Sequence, residues 1–364
     1  MMDSPAPVAQ FVDLFARHRS EALIANLSTR VEQLDIGGLS VPMTVNDGGL
    51  RGNCYICDPV TGYINYAIEE TRNFVSRPLL RQALIGLIHS ASPFVRATGL
   101  DRAVQVNNWL FSTNPAPQID RPTAAALRDN LTARFPDHAI ILRSLNTYAD
   151  ASTLSAFRAD GFHLLPSRQV YLFDGRIAPK PQKDMKNDRR LLRRTPYELI
   201  ANEAFEPRDY ARCSALYRLL YLEKYTPLNP QYTPTFIAEM HQRGLIELEG
   251  LRGEDGELAA FGGRFQIGHT LTQPLLGYDT SRPQKDGLYR LITALAQQAA
   301  LENGLLFNMS AGAAGFKRHR GAVPAIEYSA VYARHLPLRQ RMALRAISTV
   351  LSGIGVPLLQ RFEL

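Results

Sequence analysis

Residues 245–304 read LIELEGLRGEDGELAAFGGRFQIGHTLTQPLLGYDTSRPQKDGLYRLITALAQQAALENG, and this stretch decides the fold. It contains three strand-like segments, 245–252, 257–268 and 270–279, and GEDGE between the first two is a hairpin signal. The loop TSRPQKDG then leads into an amphipathic helix that ends near Gly304. Three strands, a loop and a helix in this order predict a mixed sheet with a helix on its face.

A similar order of elements precedes this stretch. A strand at 102–112 leads through a polar loop into a helix at 121–135, a strand at 138–145, a helix at 151–159 and a further strand region up to residue 174. We therefore predict an α/β (α+β) chain of two halves, each a mixed sheet flanked by helices. The N-terminal half covers 1–175 with a helical extension at its start, a basic connector covers 176–195, and the C-terminal half covers 196–364. Within the N-terminal half, residues 1–35 are predicted to be helical and residues 36–70 to form strands and turns.

Composition narrows the class of protein. The chain has 364 residues, of which 45% are hydrophobic and 21% charged, which is ordinary globular usage. A net charge of +7 permits an anionic partner. The N-terminus does not resemble a signal peptide, and three cysteines suit a reducing compartment, so we expect a cytoplasmic protein.

The most apolar segment is LRAISTVLSGIGVPLL, residues 344–359. It is broken by Ser, Thr, Gly and Pro and is shorter than 18 consecutive apolar residues. We expect a core helix followed by a loop, and no stable membrane insertion. A helix lying in a membrane interface is the alternative.

Three short motifs resemble a known family. KNDRRLLRRT (186–195), GYDTSRPQKDGLYRL (277–291) and SAGAAGFKRHRG (310–321) resemble segments of GNAT acyltransferases. Two such halves in one chain resemble the tandem, Fem-type branch, which includes aminoacyltransferases and related acetyltransferases. The likeness covers 175–340 by motif and 60–175 by order of elements. It implies two GNAT-like halves and transfer of an acyl group to an amine.

The resemblance implies a donor site at the start of the helix after Gly287. In the family, backbone amides and the helix dipole hold the donor's pyrophosphate there. Gln284, Gly287 and Leu288 match the family pattern, whereas Tyr289 stands where a small residue is expected. The implied donor is acyl-CoA or the acyl-phosphopantetheine of an acyl carrier protein, bound as a substrate, with no metal. The predicted donor-binding residues are Leu276, Gly277, Arg282, Gln284, Lys285, Asp286, Gly287, Leu288, Asn308, Ser310, Phe316 and Lys317.

Aminolysis of a thioester needs a base and correct positioning, so catalytic candidates are polar residues at strand ends. They are Glu327, Asp279, Tyr278 and His319. Glu327 is the preferred base because burial in a strand raises the pKa of a carboxyl group. The alternative is a glutamate that faces solvent.

The N-terminal half has its own polar strand ends, which predict the site of a small-molecule amine acceptor. Arg143 has the geometry to hold a carboxylate through two hydrogen bonds. The alternative is a set of helix caps and loop hydrogen bonds. The predicted acceptor-binding residues are Asn108, Trp109, Ser112, Asn114, Arg143 and Asn146.

The segment from Lys180 to Thr195 holds seven cations and two acids, a net +5. Lys183, Lys186, Arg190 and Arg193 follow helical spacing and would share one face. Such a face is either solvated or a docking site for an acyl carrier protein or a transfer RNA. The sequence thus predicts an N-acyltransferase that uses a thioester donor. The alternatives are a transferase that uses aminoacyl-tRNA and a non-catalytic basic module that binds RNA or protein.

Overall fold

The computed structural model describes residues 6–49, 53–177 and 182–363. Part of the predicted basic connector, including Lys180, lies outside these residues. The helices are α1 Pro7–Arg17, α2 Ser20–Leu23, α3 Pro59–Thr61, α4 Ala67–Phe74, α5 Pro78–Ala97, α6 Arg121–Arg134, α7 Ala151–Ala159, α8 Lys183–Leu192, α9 Pro207–Tyr217, α10 Pro234–Gln242, α11 Leu288–Glu302, α12 Ala314–Arg318, α13 Leu338–Val350 and α14 Val356–Phe362. The strands are β1 Arg30–Ile36, β2 Leu39–Asp47, β3 Arg102–Val106, β4 Ala139–Asn146, β5 His163–Asp174, β6 Glu198–Ile200, β7 Glu247–Arg252, β8 Leu258–Ile267, β9 Thr270–Tyr278, β10 Leu306–Asn308 and β11 Val323–Tyr332.

The chain forms two compact units. Unit 1 comprises the described residues of Met1–Glu21, Asn26–Gln169 and Ala325–Leu364, and unit 2 those of Ala22–Ala25 and Val170–Pro324. The segment after residue 324, expected in the C-terminal half, therefore folds with the N-terminal half. Its strand β11 pairs antiparallel with β4, from Glu327 opposite Asn146 to Tyr332 opposite Ile140. Both units contain a mixed sheet flanked by helices, so the predicted fold class is confirmed.

The sheet of unit 1 has the order β1-β2-β3-β4-β11-β5. Its parallel pair, β3 and β4, is joined by the crossover helix α6. Helix α6 buries Ala124, Leu127 and Leu131, which lie on one face at three- and four-residue spacing. These residues pack into a core with Val104 and Ile140 of the parallel strands.

The sheet of unit 2 has the order β5-β10-β9-β8-β7-β6, with β5 contributing residues from Val170 onward. Its parallel pair is β9 and β10, joined by α11. The pairing runs from Thr270 opposite Leu306 to Thr272 opposite Asn308, whereas β9 continues to Tyr278. The pairing therefore ends at Asn308, where β10 itself ends.

Two local predictions were wrong. Residues 30–35, expected to be helical, lie in β1 because this strand pairs with β2 from Arg30 opposite Val45 to Ile36 opposite Leu39. Residues 59–70, expected to be strands and turns, are helical and lie in α3, a π-helical segment Gly62–Tyr66, and α4. Asp58 starts this helix by accepting hydrogen bonds from the amides of Val60 (2.9 Å) and Thr61 (3.2 Å), which an N-cap aspartate does well.

The C-terminal segment also differs from the expected core helix and loop. Helices α13 and α14 join through a π-helical segment, Leu351–Gly355, into one continuous helix, Leu338–Phe362. By length and composition this helix is apolar enough to cross a membrane, and 17% of its most apolar window is buried. It is therefore mostly exposed, which a core helix is not.

Candidate functional site

One face of the unit 1 sheet borders a cavity of ≈ 130 Å³. Alternate residues of a strand point to the same face of a sheet, so each of three strands contributes residues two positions apart. They are Ile141 and Arg143 of β4, Leu165 and Ser167 of β5, and Glu327, Ser329 and Val331 of β11. The cavity is lined throughout by residues of unit 1.

The opposite wall is helical. The π-helical segment contributes Gly62, Tyr63 and Tyr66, and α4 contributes Ala67 and Glu70. A π-helical turn holds one more residue than an α-helical turn, and such turns occur often at functional sites. Tyr55 lies in the turn before this wall, and its ring packs on Tyr66 with the centroids 4.3 Å apart.

A buried ion pair crosses the sheet side of the cavity. Arg168 donates from Nε to Glu327 Oε1 (2.9 Å) and from Nη2 to Glu327 Oε2 (3.3 Å). The same guanidinium donates to the carbonyl of Ser112 (2.7 Å) and to Thr113 Oγ1 (2.8 Å). Ser167 Oγ adds a bond to Glu327 Oε1 (3.3 Å). This network fixes the orientation of the Glu327 carboxylate.

Glu70 has fewer fixed partners than Glu327. Burial raises the pKa of Glu70, and the positive charge of Arg168 and a hydrogen bond with Tyr66 act in the opposite direction. Burial also raises the pKa of Tyr55 to about 12 and that of Tyr66 well above its usual value, so the phenols stay protonated at neutral pH. A raised pKa makes the Glu70 carboxylate a stronger base than an ordinary glutamate.

Arg143 supplies a second cation to the cavity. Its Nη2 donates to the carbonyl of Phe111 (2.9 Å), while its Nε is buried and makes no hydrogen bond within the described residues. Buried polar groups are almost always paired. The free Nε–H therefore offers a donor to a bound molecule.

The predicted acceptor residues fall into two groups. Ser112 and Arg143 line the cavity, together with Glu327. Asn108 bonds Thr44 Oγ1, Trp109 bonds Asn107 Oδ1, Asn114 donates to Asn108 Oδ1, and Asn146 donates to Asp150 Oδ2 and caps the turn before α7. These four side chains hold the chain around the strand ends and do not line the cavity.

The predicted donor loop lies in unit 2. Gly287 has φ +67°, and a Cβ there would lie 2.8 Å from Leu191 Cδ2, so glycine suits both the backbone and the packing. Arg282 is paired with Asp255 and lies 3.7 Å from Asp279 Oδ2, and Asp286 accepts from the Tyr197 hydroxyl (2.7 Å). Gln284 and Lys285 are exposed.

The remaining donor residues lie close to this loop in the fold. Leu276 and Leu288 are buried in one apolar cluster, and a Cβ on Gly277 would lie 2.5 Å from the backbone of α9. Lys317 is buried, and its Nζ donates to the carbonyls of Ser310 (3.1 Å) and Ala311 (2.7 Å). Asn308 Oδ1 accepts from the Ser310 amide (2.9 Å), and Phe316 packs on Tyr289 with ring centroids 5.0 Å apart. Hydrogen bonds from Lys317 thus stabilise the glycine-rich turn that precedes it in the sequence.

The other catalytic candidates also lie in unit 2. Burial raises the pKa of Asp279, but hydrogen bonds from Ser281 and Arg212 outweigh it and hold this pKa below its usual value. A carboxylate with a lowered pKa is a weak base. Tyr278 is half-buried at the end of β9, and the His319 side chain is 73% exposed, 3.7 Å from Asp184.

Sequence reasoning missed Tyr55, Tyr63, Tyr66, Glu70, Ser167 and Arg168. The first four fall in a segment assigned to strands, which would place them on alternating faces. Helical spacing of Tyr63, Tyr66 and Glu70, at three and four residues, was the available signal.

The chain is similar to several solved structures. The C-terminal domain of a putative lysylphosphatidylglycerol synthetase from Agrobacterium fabrum is 14% identical, with 72% of this chain and 92% of that chain covered and a TM-score of 0.48. L-PGS from Bacillus licheniformis is 15% identical over 62% of this chain and 78% of that chain, with a TM-score of 0.44. FemX is 9% identical over 62% of this chain and 81% of that chain, with a TM-score of 0.47.

FemX bears the name of the Fem-type branch that the sequence motifs resemble. All three TM-scores lie below 0.5, so these similarities carry no argument about the reaction of this chain. No protein-family model and no curated protein matches the sequence.

Proposed function

We propose that the chain is an N-acyltransferase that moves an acyl group from a thioester donor to an amine bound in the cavity of unit 1. The observation that supports this most is the set of charges around that cavity. Carboxyl groups of Glu70 and Glu327 and guanidinium groups of Arg143 and Arg168 border one space. Its volume of ≈ 130 Å³ equals roughly four water molecules at their liquid volume, enough for a small organic molecule. An amine that also carries an acidic group matches this mixture of charges.

The reaction requires a neutral amine. Glu70 is the proposed base: its carboxylate takes a proton from the ammonium form, and the nitrogen lone pair then attacks the thioester carbonyl. The C–N bond forms, the C–S bond breaks, and a second proton from the nitrogen passes to the sulfur, which leaves as the thiol. Glu327 is held by Arg168 and would orient the amine, while the free Nε–H of Arg143 would bind the acidic group of the acceptor.

The phosphate-bearing end of the donor is proposed to bind at the start of α11. The exposed Lys285 and Gln284 and the left-handed Gly287 support this assignment. Within this proposal the donor is acyl-CoA or an acyl carrier protein, as the resemblance implies.

A second candidate donor is aminoacyl-tRNA. Helix α8 buries Met185 and Asp188 and exposes Lys183, Lys186, Arg190 and Arg193 on its outer face. Asp188 is bonded by Arg290 and Arg320, which fixes α8 in unit 2. A fixed row of cations suits a nucleic acid backbone, whose binding would weaken steeply with salt.

The test is donor turnover by the full-length chain. Acyl-CoA, acyl carrier protein and aminoacyl-tRNA donors are incubated with a panel of amines, and amide product is measured by mass spectrometry together with free thiol or deacylated tRNA. We expect amide product, and we expect Glu70→Gln to lower kcat by about 10²–10⁴-fold. Gly287→Glu should raise the donor KM, whereas Gly244→Glu, at an equal φ of +67° with no atom near its Cβ, serves as the matched control.

Three outcomes separate the candidates. Turnover of acyl-CoA that is unaffected by Lys186→Gln/Arg190→Gln supports the thioester donor. Turnover of aminoacyl-tRNA that this double substitution weakens supports the second candidate. Retention of RNA with no turnover of any donor would show a non-catalytic binding module and refute both.

A further inference from the structure

Two long helices of unit 1 expose large apolar side chains. On α5, Leu79 is 83% exposed and Leu87 and Phe94 are also exposed, at spacings of eight and seven residues that bring them to one side of the helix. On the helix Leu338–Phe362, Leu338 is 66% exposed, and Met342, Val350 and Ile354 are also exposed. Soluble surfaces rarely carry so many large apolar groups together without a partner.

The same two helices are basic. Residues 77–97 contain Arg77, Arg81 and Arg96, residues 338–362 contain Arg339, Arg341, Arg345 and Arg361, and neither segment contains an aspartate or a glutamate. In the described chain, Arg339, Arg341 and Arg345 have no carboxylate within ion-pair distance. The rest of the chain has 34 acids, so their absence here is a local property of this surface.

The two helices are held against unit 1 by an apolar cluster. Val95 and Ile347 are buried together with Ile64 and Ile68 of the cavity wall, and Ile85, Ile88 and Leu351 pack against them. The helix Leu338–Phe362 thus lies along the unit with one side attached. A helix held in this way can lie in the plane of a membrane surface, and it cannot cross the membrane without breaking this cluster.

We infer that α5 and Leu338–Phe362, here called the apolar–basic surface, dock the protein on an anionic lipid bilayer. The exposed leucines, phenylalanine and methionine would enter the boundary between headgroups and acyl chains, and the arginines would contact lipid phosphates. Charge complementarity selects this partner: an apolar surface with seven arginines and no acid matches anionic lipid and repels a second copy of itself.

The test is co-sedimentation of the full-length protein with vesicles. Vesicles of phosphatidylcholine alone are compared with vesicles that also contain phosphatidylglycerol, which gives the membrane surface a negative potential. We expect binding to the anionic vesicles that weakens with salt. Arg339→Gln/Arg341→Gln/Arg345→Gln should weaken it about a hundredfold, whereas Lys186→Gln/Arg190→Gln on α8 should weaken it far less.

A second variant reports insertion of the apolar residues. Trp109, the one native tryptophan, is 2% exposed, so Phe94→Trp adds an indole signal that lipids brominated on the acyl chain should quench on binding. Absence of binding, equal losses in the α8 control, or fluorescence of the Phe94→Trp variant that brominated lipid leaves unchanged would overturn the inference. Concentration-dependent dimerisation through Phe94 without vesicle binding would assign the surface to a second copy of the chain. Protein that resists alkaline extraction from vesicles would show a spanning helix. Either result would also overturn the inference.

Discussion

The cavity of unit 1 and the donor loop of unit 2 use charged residues in opposite ways. In unit 1, Glu70 and Arg143 face a space with hydrogen-bonding capacity left over. In unit 2, Arg282, Asp286 and Lys317 make their bonds to neighbouring protein groups. The short motif therefore indicated a loop whose charged groups are mostly paired within the protein. The groups that are free to bind a ligand come from residues far apart in sequence. The predictions below test this contrast from the largest expected effect to the smallest.

Arg168→Met should cost about 3–5 kcal/mol in the free energy of unfolding, because it leaves Glu327 buried without its partner. Urea unfolding monitored by circular dichroism measures this. The double substitution Arg168→Met/Glu327→Met removes both charges and should recover much of the loss. Equal losses in the single and double variants would mean that the pair does not act as a unit.

Gly287→Ala should cost about 2 kcal/mol, and Gly244→Ala about 1 kcal/mol. Both glycines have φ +67°, but only at position 287 would the new methyl group meet a neighbour, Leu191 Cδ2 at 2.8 Å. Thermal and urea unfolding give the difference. If the two variants are equally stable, packing of α8 does not constrain the loop. In that case, adding Leu191→Ala to Gly287→Ala should recover none of the lost stability.

Stability should fall by at least about 1 kcal/mol as the pH rises from 4 to 7 because of Asp150. Burial raises the pKa of this carboxyl group to about 7. In that range the unfolded chain loses the Asp150 proton and the folded chain keeps it, so the rise in pH stabilises the unfolded state relative to the folded state. Above pH 7 both states have lost the proton, and the free energy of unfolding no longer changes because of this group. Asp150→Asn should flatten this part of the pH–stability curve. An unchanged slope would assign the pH dependence to other groups, such as Glu249 in unit 2, whose pKa is also about 7.

Arg282→Met should cost less than about 1 kcal/mol. The Arg282 side chain is 25% exposed and its partner Asp255 is 47% exposed, so water replaces the lost contacts. Replacement of arginine by methionine thus has a small effect on stability in the donor loop and a large one at position 168. A loss as large as that of Arg168→Met would remove the contrast between the two regions. Its donor KM, measured in the same variant, tests whether the pair also serves binding.

The sequence predicted the elements whose signals are local. Helices α7 and α11 and the three strands β7 to β9 follow from periodicity and turn residues, and these define the predicted fold class. Strand β11 could not be assigned to unit 1, because its pairing with β4 joins residues about 180 positions apart. The cavity was found in part: Glu327, Arg143 and Ser112 were predicted from strand ends, whereas Arg168 follows Ser167 on β5 and reaches the cavity through its long side chain. Glu70 was not predicted, because the helix that carries it was assigned to strands and turns.

The π-helical segment Gly62–Tyr66 has two sides with different neighbours. Tyr63 and Tyr66 face the cavity, while Ile64 packs with Val95 and Ile347 beneath the two exposed helices. Conversion of this turn to regular α-helix would rotate the following side chains by about 100° per residue. Such a rotation would change both the shape of the cavity and the packing beneath the exposed helices. A molecule bound in the cavity would then alter the position of these helices, and a change in their position would alter the cavity.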